Sequence, residues 1–195
     1  MEITQRQLEI IESAGKILTS SGVGGLTIKN LAIEMQFSES AIYRHFKSKE
    51  DIIVAMLNYL AEYTDDKMKF VLKQNAPEEN FKAIFNEQFS FFKKNNHFVV
   101  AVFSDGLMEQ SQRINEAILK LMTIKMKYLK PIIIEGQQKN IFINTISTDD
   151  MIHIIMGTFK LQMFKWKIFN FEFDICVSGN NMLDSLLKLI KKETV

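Results

Sequence analysis

One short stretch of the chain, residues 27–49, concentrates hydroxyl, phenol, imidazole, guanidinium and ammonium groups, all of which donate hydrogen bonds to anionic oxygens. A helix over residues 39–46 needs only Ala41, Ile42 and Phe46 for packing. Its other side chains are free to face a nucleic-acid groove and its phosphates: Glu39, Ser40, Tyr43, Arg44 and His45. This chemistry predicts a surface that reads DNA.

Two short helices joined by a tight turn must position these groups. Thr27 has a hydroxyl that can cap a first helix, which buries its apolar residues at helical spacing up to Met35. In the turn that follows, Phe37 is placed to plug the corner between the helices, and Ser38 is a good N-cap for the second helix. The pattern predicts a helix-turn-helix whose second helix is the reader.

These residues resemble the TetR family of bacterial transcriptional regulators, and the resemblance extends to both sides of the turn. Ile10 to Ala14, Gly22 and Leu26 to Ile28 are similar to the family's first helix and its glycine turn. The run YRHFKSKE, Tyr43 to Glu50, is similar to the family's specific signature. Gln36 stands where the family usually has glycine, so this turn must place a non-glycine residue in an unusual backbone region or close differently.

The resemblance implies roles for individual positions. Tyr43, His45 and Lys49 correspond to phosphate contacts, and Thr27 is a further candidate. Among the groove candidates, Glu39 can accept from a cytosine amino group and Ala41 can touch a thymine methyl; taken singly, any of these side chains can equally be part of a solvated helix face. The predicted DNA-binding residues are Thr27, Lys29, Ser38, Glu39, Ser40, Ala41, Tyr43, Arg44, His45 and Lys49.

The charge balance constrains how the chain meets DNA. The 195 residues carry a net charge of +1, and the stretch 27–49 holds four basic residues against two acidic ones, so positive charge is local. Binding by a single copy with so few phosphate contacts is expected to be weak at physiological salt. The composition therefore favours a dimer, which doubles the contacts.

Other function classes lack their characteristic residues. The single cysteine, Cys176, excludes an internal disulfide and fits a reducing compartment, and the three histidines show no metal-ligand spacing. No nucleophile triad, phosphate loop or cofactor motif is present, so the sequence predicts neither an enzyme nor a bound cofactor. The first residues do not read as a signal peptide and no apolar run is long enough for a membrane, which predicts a soluble, cytoplasmic protein.

Beyond the signature the chain has long helical patterns and no β-alternation, which predicts an all-α protein of about nine helices. We expect a DNA-binding domain over residues 1–49 and a larger helical effector-binding and dimerisation domain over 50–195. One long helix is predicted over 48–73, and another over 112–139 should bend because Pro131 lies inside it. In the family resembled here, the last two helices pack against their copy as a four-helix dimer bundle.

Phenylalanine and methionine are concentrated in the second part of the chain, where 13 of the 16 phenylalanines and 7 of the 11 methionines lie from residue 81 onward. Such residues suit a cavity for an apolar or aromatic effector, although a stripe at helical spacing is also typical of ordinary core. The predicted lining is Phe85, Phe89, Phe92, Phe103, Met122, Met126, Met156, Phe159 and Met163. The polar groups available to orient a ligand are Asn86, Gln88, Gln110, His153 and Gln162.

Two functions from different classes follow from these features. The first is a homodimeric repressor that binds a palindromic double-stranded operator and is released by a hydrophobic small molecule. The alternative is a DNA-associated regulator of a non-transcriptional protein partner, which would bind DNA with little sequence preference and a steep salt dependence. A sharply defined operator would distinguish the first from the second.

Overall fold

The computed structural model describes residues 3–72, 76–103 and 111–192. Helices dominate these ranges, and within them the only β-type pairing is an isolated bridge between Phe142 and Lys191. The all-α prediction is confirmed. The nine helices of the described residues are α1 (Gln5–Gly25), α2 (Ile28–Met35), α3 (Glu39–Tyr43), α4 (Lys49–Val71), α5 (Pro77–Lys94), α6 (His97–Phe103), α7 (Gln112–Gln138), α8 (Thr148–Ile168) and α9 (Ile175–Ile190).

The chain divides into two compact units, of which the first comprises Met1–Glu62 and Asn95–Leu121. In this unit α1 packs on α2 and α6. Gly22 departs from helical geometry near the end of α1, with φ 66° and ψ −170°, a conformation that a glycine adopts without the penalty of a side chain. The glycine turn is thus in the predicted place.

Burial lowers the pKa of His97 in α6 to about 4, so its imidazole is neutral at neutral pH.

The second unit comprises Tyr63–Lys94 and Met122–Val195. Here α9 packs on α5 and on α8. The contact between α9 and α5 is close at Gly179, because a Cβ at that position would lie 2.5 Å from Cε2 of Phe89. Aromatic side chains of α5 and α8 fill the interior of this unit, and they are described with the candidate site.

The ends of the later helices are set by polar caps. Ser147 Oγ accepts a hydrogen bond from the backbone N–H of Asp150 at 3.1 Å, so Ser147 is the N-cap of α8, which begins at Thr148. Pro131 lies inside α7 without ending it, and the helix continues to Gln138. None of the helices in the described ranges combines the length and apolar character that a membrane crossing needs.

Candidate functional site

The short helices of the first unit begin at the residues that the sequence predicts. Thr27 Oγ1 accepts a hydrogen bond from Asn30 N at 3.0 Å at the start of α2. Ser38 Oγ accepts one from Ala41 N at 3.2 Å at the start of α3. Each bond satisfies a backbone N–H that the first turn of a helix leaves without a partner. The two helices pack on each other, which produces the predicted helix-turn-helix.

The turn between α2 and α3 closes through a left-handed residue. Gln36 has φ 56° and ψ 41°, the region that glycine usually occupies in this role. The backbone N–H of Phe37 donates to the carbonyl of Ala32 at 2.8 Å, and that of Gln36 to Ile33 at 3.1 Å. Of the two arrangements considered for this turn, the structure adopts the first, in which a non-glycine residue takes the unusual conformation.

The reading helix α3 is shorter than predicted, because it ends at Tyr43 and not near Phe46. The chain still winds beyond this end, since the N–H of Phe46 donates to the carbonyl of Ile42 at 3.1 Å. Ile42 and Phe46 are both buried. They anchor one side of this segment in the core and leave its opposite side to solvent.

The predicted DNA-binding residues lie mainly on that open side. Tyr43, for example, keeps 50% of its surface exposed. Ala41 and Lys49 are half-buried. The exposed members of the predicted set are Thr27, Lys29, Ser38, Glu39, Ser40, Tyr43, Arg44 and His45.

Lys49 opens α4, whose first turn is fixed by a cap and by ion pairs. Ser48 Oγ accepts from Asp51 N at 3.1 Å. Arg113 of α7 pairs with Glu50 at 3.0 Å and with Asp51 at 2.8 Å. Burial opposes ionisation of Asp51, but the hydrogen bonds from Arg113 and Ser48 outweigh it and lower the pKa of this carboxyl. The beginning of α4 is therefore tied to α7 within the first unit.

A second set of polar contacts joins the same two helices within the second unit. The Asp65 carboxylate in α4 accepts from Lys127 Nζ at 2.8 Å and from the Tyr128 hydroxyl at 2.8 Å. These hydrogen bonds, with one from Lys69, hold the pKa of Asp65 far below its usual range. Helices α4 and α7 are thus connected by charged groups at two places along their length.

An aromatic cluster forms the interior of the second unit. Phe85 and Phe89 of α5 each face Phe159 of α8, with ring centroids 5.4 and 5.6 Å apart. These three rings, together with Phe92 and Met163, are at most 2% exposed. The structure therefore brings together five of the nine residues that the sequence predicts to line an effector cavity.

The other predicted lining residues lie elsewhere. Phe103 is buried in the first unit, at the end of α6. Met122 and Met126 keep 45% and 37% of their surface exposed, because α7 turns a different face toward the interior, and Met156 is half-buried.

The predicted polar groups are also distributed unevenly. Gln88 is buried, and its Oε1 has no hydrogen-bond partner in the described residues. The buried Oδ1 of Asn86 also lacks a partner there. Gln162 donates to Ser178 Oγ at 2.9 Å, and His153 is exposed. Gln110 lies outside the described residues.

Sequence reasoning assigned no chemical role to Lys125, although it occupies an inward position in the periodic pattern of α7. Its side chain is buried beside Phe92 and Phe159, and burial lowers the pKa of its ammonium group to about 7. The signal was present in the sequence, because a lysine at helical spacing with Leu121 and Leu129 is out of place on an apolar face. No group of His, Cys, Asp and Glu in the described ranges is arranged to hold a metal ion.

Comparison with known proteins agrees with this arrangement. Residues 10–56 match the family model described as bacterial regulatory proteins, tetR family. Residues 56–190 match the model described as the C-terminal region of YsiA-like proteins.

Several individual proteins are similar to the chain. It is 26% identical over 122 residues, 61% of its own length, to the uncharacterized HTH-type transcriptional regulator YerO of Bacillus subtilis (strain 168), of which it spans 42%. The fatty acid metabolism regulator protein of the same strain is 20% identical over 186 residues, covering 93% of this chain and 94% of that protein. The nucleoid occlusion factor SlmA of Alteromonas mediterranea is 25% identical over 150 residues, 76% of each chain.

Solved structures show the same fold. The fatty acid degradation regulator FadR from Bacillus halodurans superposes with a TM-score of 0.85 at 18% identity, covering 96% of this chain and 97% of that one. The transcriptional regulator FadR from Bacillus subtilis, solved in complex with stearoyl-CoA, superposes with a TM-score of 0.81 at 18% identity, covering 94% and 98%. With the two family models matching nearly the whole length, the chain belongs to the TetR family of bacterial regulatory proteins and is a transcriptional regulator, not an enzyme.

Proposed function

We propose that this protein is a homodimeric repressor that binds a palindromic operator and is released from it by a hydrophobic small molecule with a long apolar chain. The observation that carries the DNA-binding part is the exposed row of donor side chains at the end of α3 and just after it, Tyr43, Arg44 and His45, held in place by buried Ile42 and Phe46. Residues 1–49 carry the reading function in this proposal, and residues 50–195 bind the effector and form the dimer. Each reading helix occupies a major groove, with the two half-sites about 34–36 Å apart.

An apolar stripe on α8 supports the dimer. Ile154, Leu161 and Ile168 recur every seventh residue, so they lie on one face of the helix, and they are 50%, 65% and 59% exposed. Phe164 adds a further ring to the exposed surface. A second copy that covers this stripe with its own α8 and α9 buries apolar surface that otherwise faces water. We expect Leu161→Glu to yield monomers in sedimentation experiments and to lose operator binding.

The buried aromatic cluster supports an apolar effector. Phe85, Phe89 and Phe159 present large apolar surfaces, and Met163 beside them is a side chain that adapts readily to a ligand's shape. Relatives named as regulators of fatty acid metabolism, one of them in complex with stearoyl-CoA, point to a ligand with a long acyl chain.

Helix α4 provides a route from effector to reader in this proposal. It begins at Lys49, within the signature Tyr43 to Glu50, and Arg113 and Lys127 hold its first turn and its later part to α7. A ligand that shifts α7 therefore pulls on α4 and changes the spacing of the two reading helices. A coupling of roughly 1–3 kcal/mol suffices for a 5–150-fold loss of operator affinity.

The test is to incubate the purified protein with sheared DNA from its source genome at near-physiological salt and to sequence the retained fragments. One or a few palindromic sites, lost on addition of a long-chain fatty acid or of its coenzyme A thioester, are the expected result. Diffuse recovery without a palindrome would contradict operator recognition.

The similarity to a nucleoid occlusion factor favours a second candidate, a DNA-associated regulator of a non-transcriptional protein partner. The same experiment separates the two, because this second function predicts many retained fragments and no response to a long-chain fatty acid or to its coenzyme A thioester. A repressor predicts few fragments and a response.

A further inference from the structure

Lys125 is a cation placed on the apolar face of a helix. The buried positions of α7 around it, Leu121 and Leu129, are aliphatic, and the Lys125 side chain is only 6% exposed. Lysine normally keeps its charged end in water even when its stem is covered. Full burial of this side chain in an apolar interior therefore calls for an explanation.

The Lys125 ammonium group is surrounded by phenylalanine rings and not by oxygen atoms. Its Nζ lies 4.4 Å from the ring centroid of Phe159 and 5.8 Å from that of Phe92. None of the residues that the structure describes accepts a hydrogen bond from Nζ or pairs with it. The faces of two rings compensate only part of the hydration that an ammonium group loses. An anionic oxygen is the partner that would compensate the rest.

A second polar group without a partner lies on the neighbouring helix α5. Gln88 is 5% exposed, and its Oε1 has no hydrogen-bond partner in the described part of the chain. Gln88 precedes Phe92 by four residues, so the two side chains share one face of α5. The ring beside Lys125 thus has a buried amide one helical turn away. Buried polar groups normally have partners, and the Lys125 ammonium group is the one whose missing partner is an anion. Gln88 Oε1 is itself an acceptor that lacks a donor, so it adds a second polar group to the same part of the interior.

We propose that Lys125 binds the carboxylate of an effector whose apolar chain lies against Phe85, Phe89 and Phe159. This inference rests on the proposed function and specifies its ligand class, a long-chain carboxylic acid in its free form. The carboxylate pairs with the Lys125 ammonium group. In a coenzyme A thioester the carboxylate is replaced by an uncharged thioester carbonyl. The phosphates of coenzyme A are too strongly hydrated for a site lined by phenylalanine rings.

The experiment compares three probes on the full-length protein: dodecanoic acid, its methyl ester and dodecanoyl-CoA. Binding and release from the operator are measured for the wild type, for Lys125→Met and for Lys160→Met. Methionine matches the length of the lysine stem without its charge, and Lys160→Met is the matched control because Lys160 is an exposed lysine of the second unit. Thermal unfolding of each variant establishes that it is folded, and Lys125→Met is expected to unfold at a higher temperature than the wild type because it removes a buried charge.

In the wild type we expect the acid to bind about 10- to 150-fold more tightly than the ester, the gain of one charged hydrogen bond. Lys125→Met should bind acid and ester equally, and Lys160→Met should keep the preference. Equal binding of acid and ester by the wild type, or a preference that survives in Lys125→Met, would overturn the inference.

The remaining outcomes separate this inference from the proposed function. If dodecanoyl-CoA releases the operator and the acid does not bind, the inference is wrong and the ligand-released repressor stands. If none of the three probes binds to the folded protein, both are wrong.

Discussion

The reading segment of the first unit and the aromatic cluster of the second unit place their polar groups in opposite environments. In the reading segment, Ile42 and Phe46 are buried while Tyr43, Arg44 and His45 face solvent. Water therefore hydrates the polar groups that would bind a partner, and the folded protein pays little free energy for them. In the aromatic cluster, Lys125 and Gln88 are buried among rings, where each lost hydration must be replaced by a partner. Substitutions in the reader should therefore change binding and leave stability nearly unchanged, whereas substitutions in the cluster should change both.

The largest expected effect is a loss of stability when the centre of the aromatic cluster is emptied. Phe159→Ala removes a ring that is 1% exposed and faces both Phe85 and Phe89, and it should lower the free energy of unfolding by about 3–5 kcal/mol. Urea denaturation measures the change. Phe70→Ala is the matched control, because Phe70 is 78% exposed. A similar loss in both variants would show that burial does not govern the difference.

The next effect is a dependence of stability on pH that comes from Lys125. Its pKa is about 7 in the folded protein and about 10.5 in the unfolded chain, so the unfolded chain binds more protons between these values. Stability should therefore rise as pH increases through that window, by an amount on the order of 4–5 kcal/mol. The difference in unfolding free energy between Lys125→Met and the wild type should shrink over the same range. A difference that stays constant with pH would mean that Lys125 remains hydrated.

A smaller loss of stability is expected where α9 approaches α5. In Gly179→Ala the new Cβ would lie 2.5 Å from the fully buried ring of Phe89, so one of the two must shift, and the variant should lose about 1–3 kcal/mol. Gly24→Ala provides the comparison, because a Cβ there has nothing within 4 Å. Chemical denaturation of both variants tests the close contact, which is absent if the two behave alike.

The smallest effect concerns the reader, where stability should not change. Tyr43→Ala removes an exposed side chain and should weaken DNA binding by about 1.5 kcal/mol per half-site on every sequence, the lower end for a hydrogen bond to a charged group such as phosphate. Lys49→Ala should also make the slope of log affinity against log salt concentration shallower, by about 1 per half-site. Fluorescence anisotropy over a salt series measures both changes, with Lys160→Ala as the control. Unchanged affinity in both variants would remove Tyr43 and Lys49 from the DNA contacts.

Local structure in the reading segment could be predicted because it depends on residues close together in the chain. Thr27 and Ser38 cap the helices they were expected to cap, and each bond spans three residues. Gln36 was recognised as a residue that must take an unusual conformation, and it does so with φ 56°. The end of α3 was predicted too late, because the winding of the backbone continues past Tyr43 in a turn that helical periodicity does not distinguish from a helix.

The effector region could be predicted only in part. Periodicity identified the face of α5 that is buried, which places Phe85, Phe89 and Phe92 in the interior. On α7 the periodic positions Leu121, Lys125 and Leu129 are buried, whereas Met122 and Met126, which were assigned to the cavity, are exposed. Which side of a long helix is covered depends on the neighbouring helices, and those come from distant parts of the chain.

The sequence by itself determined the helical class, the helix-turn-helix with its caps, and the family, because each follows from residue types at short separations. Only the tertiary structure decided that Lys125 is enclosed by Phe92 and Phe159, residues 33 positions before it and 34 after it in the chain. Burial of a charge is a property of its surroundings in space, and no local pattern specifies them. The physical reason is that caps and turns involve neighbours along the backbone, whereas the free energy of a buried cation depends on helices that meet only when the chain has folded.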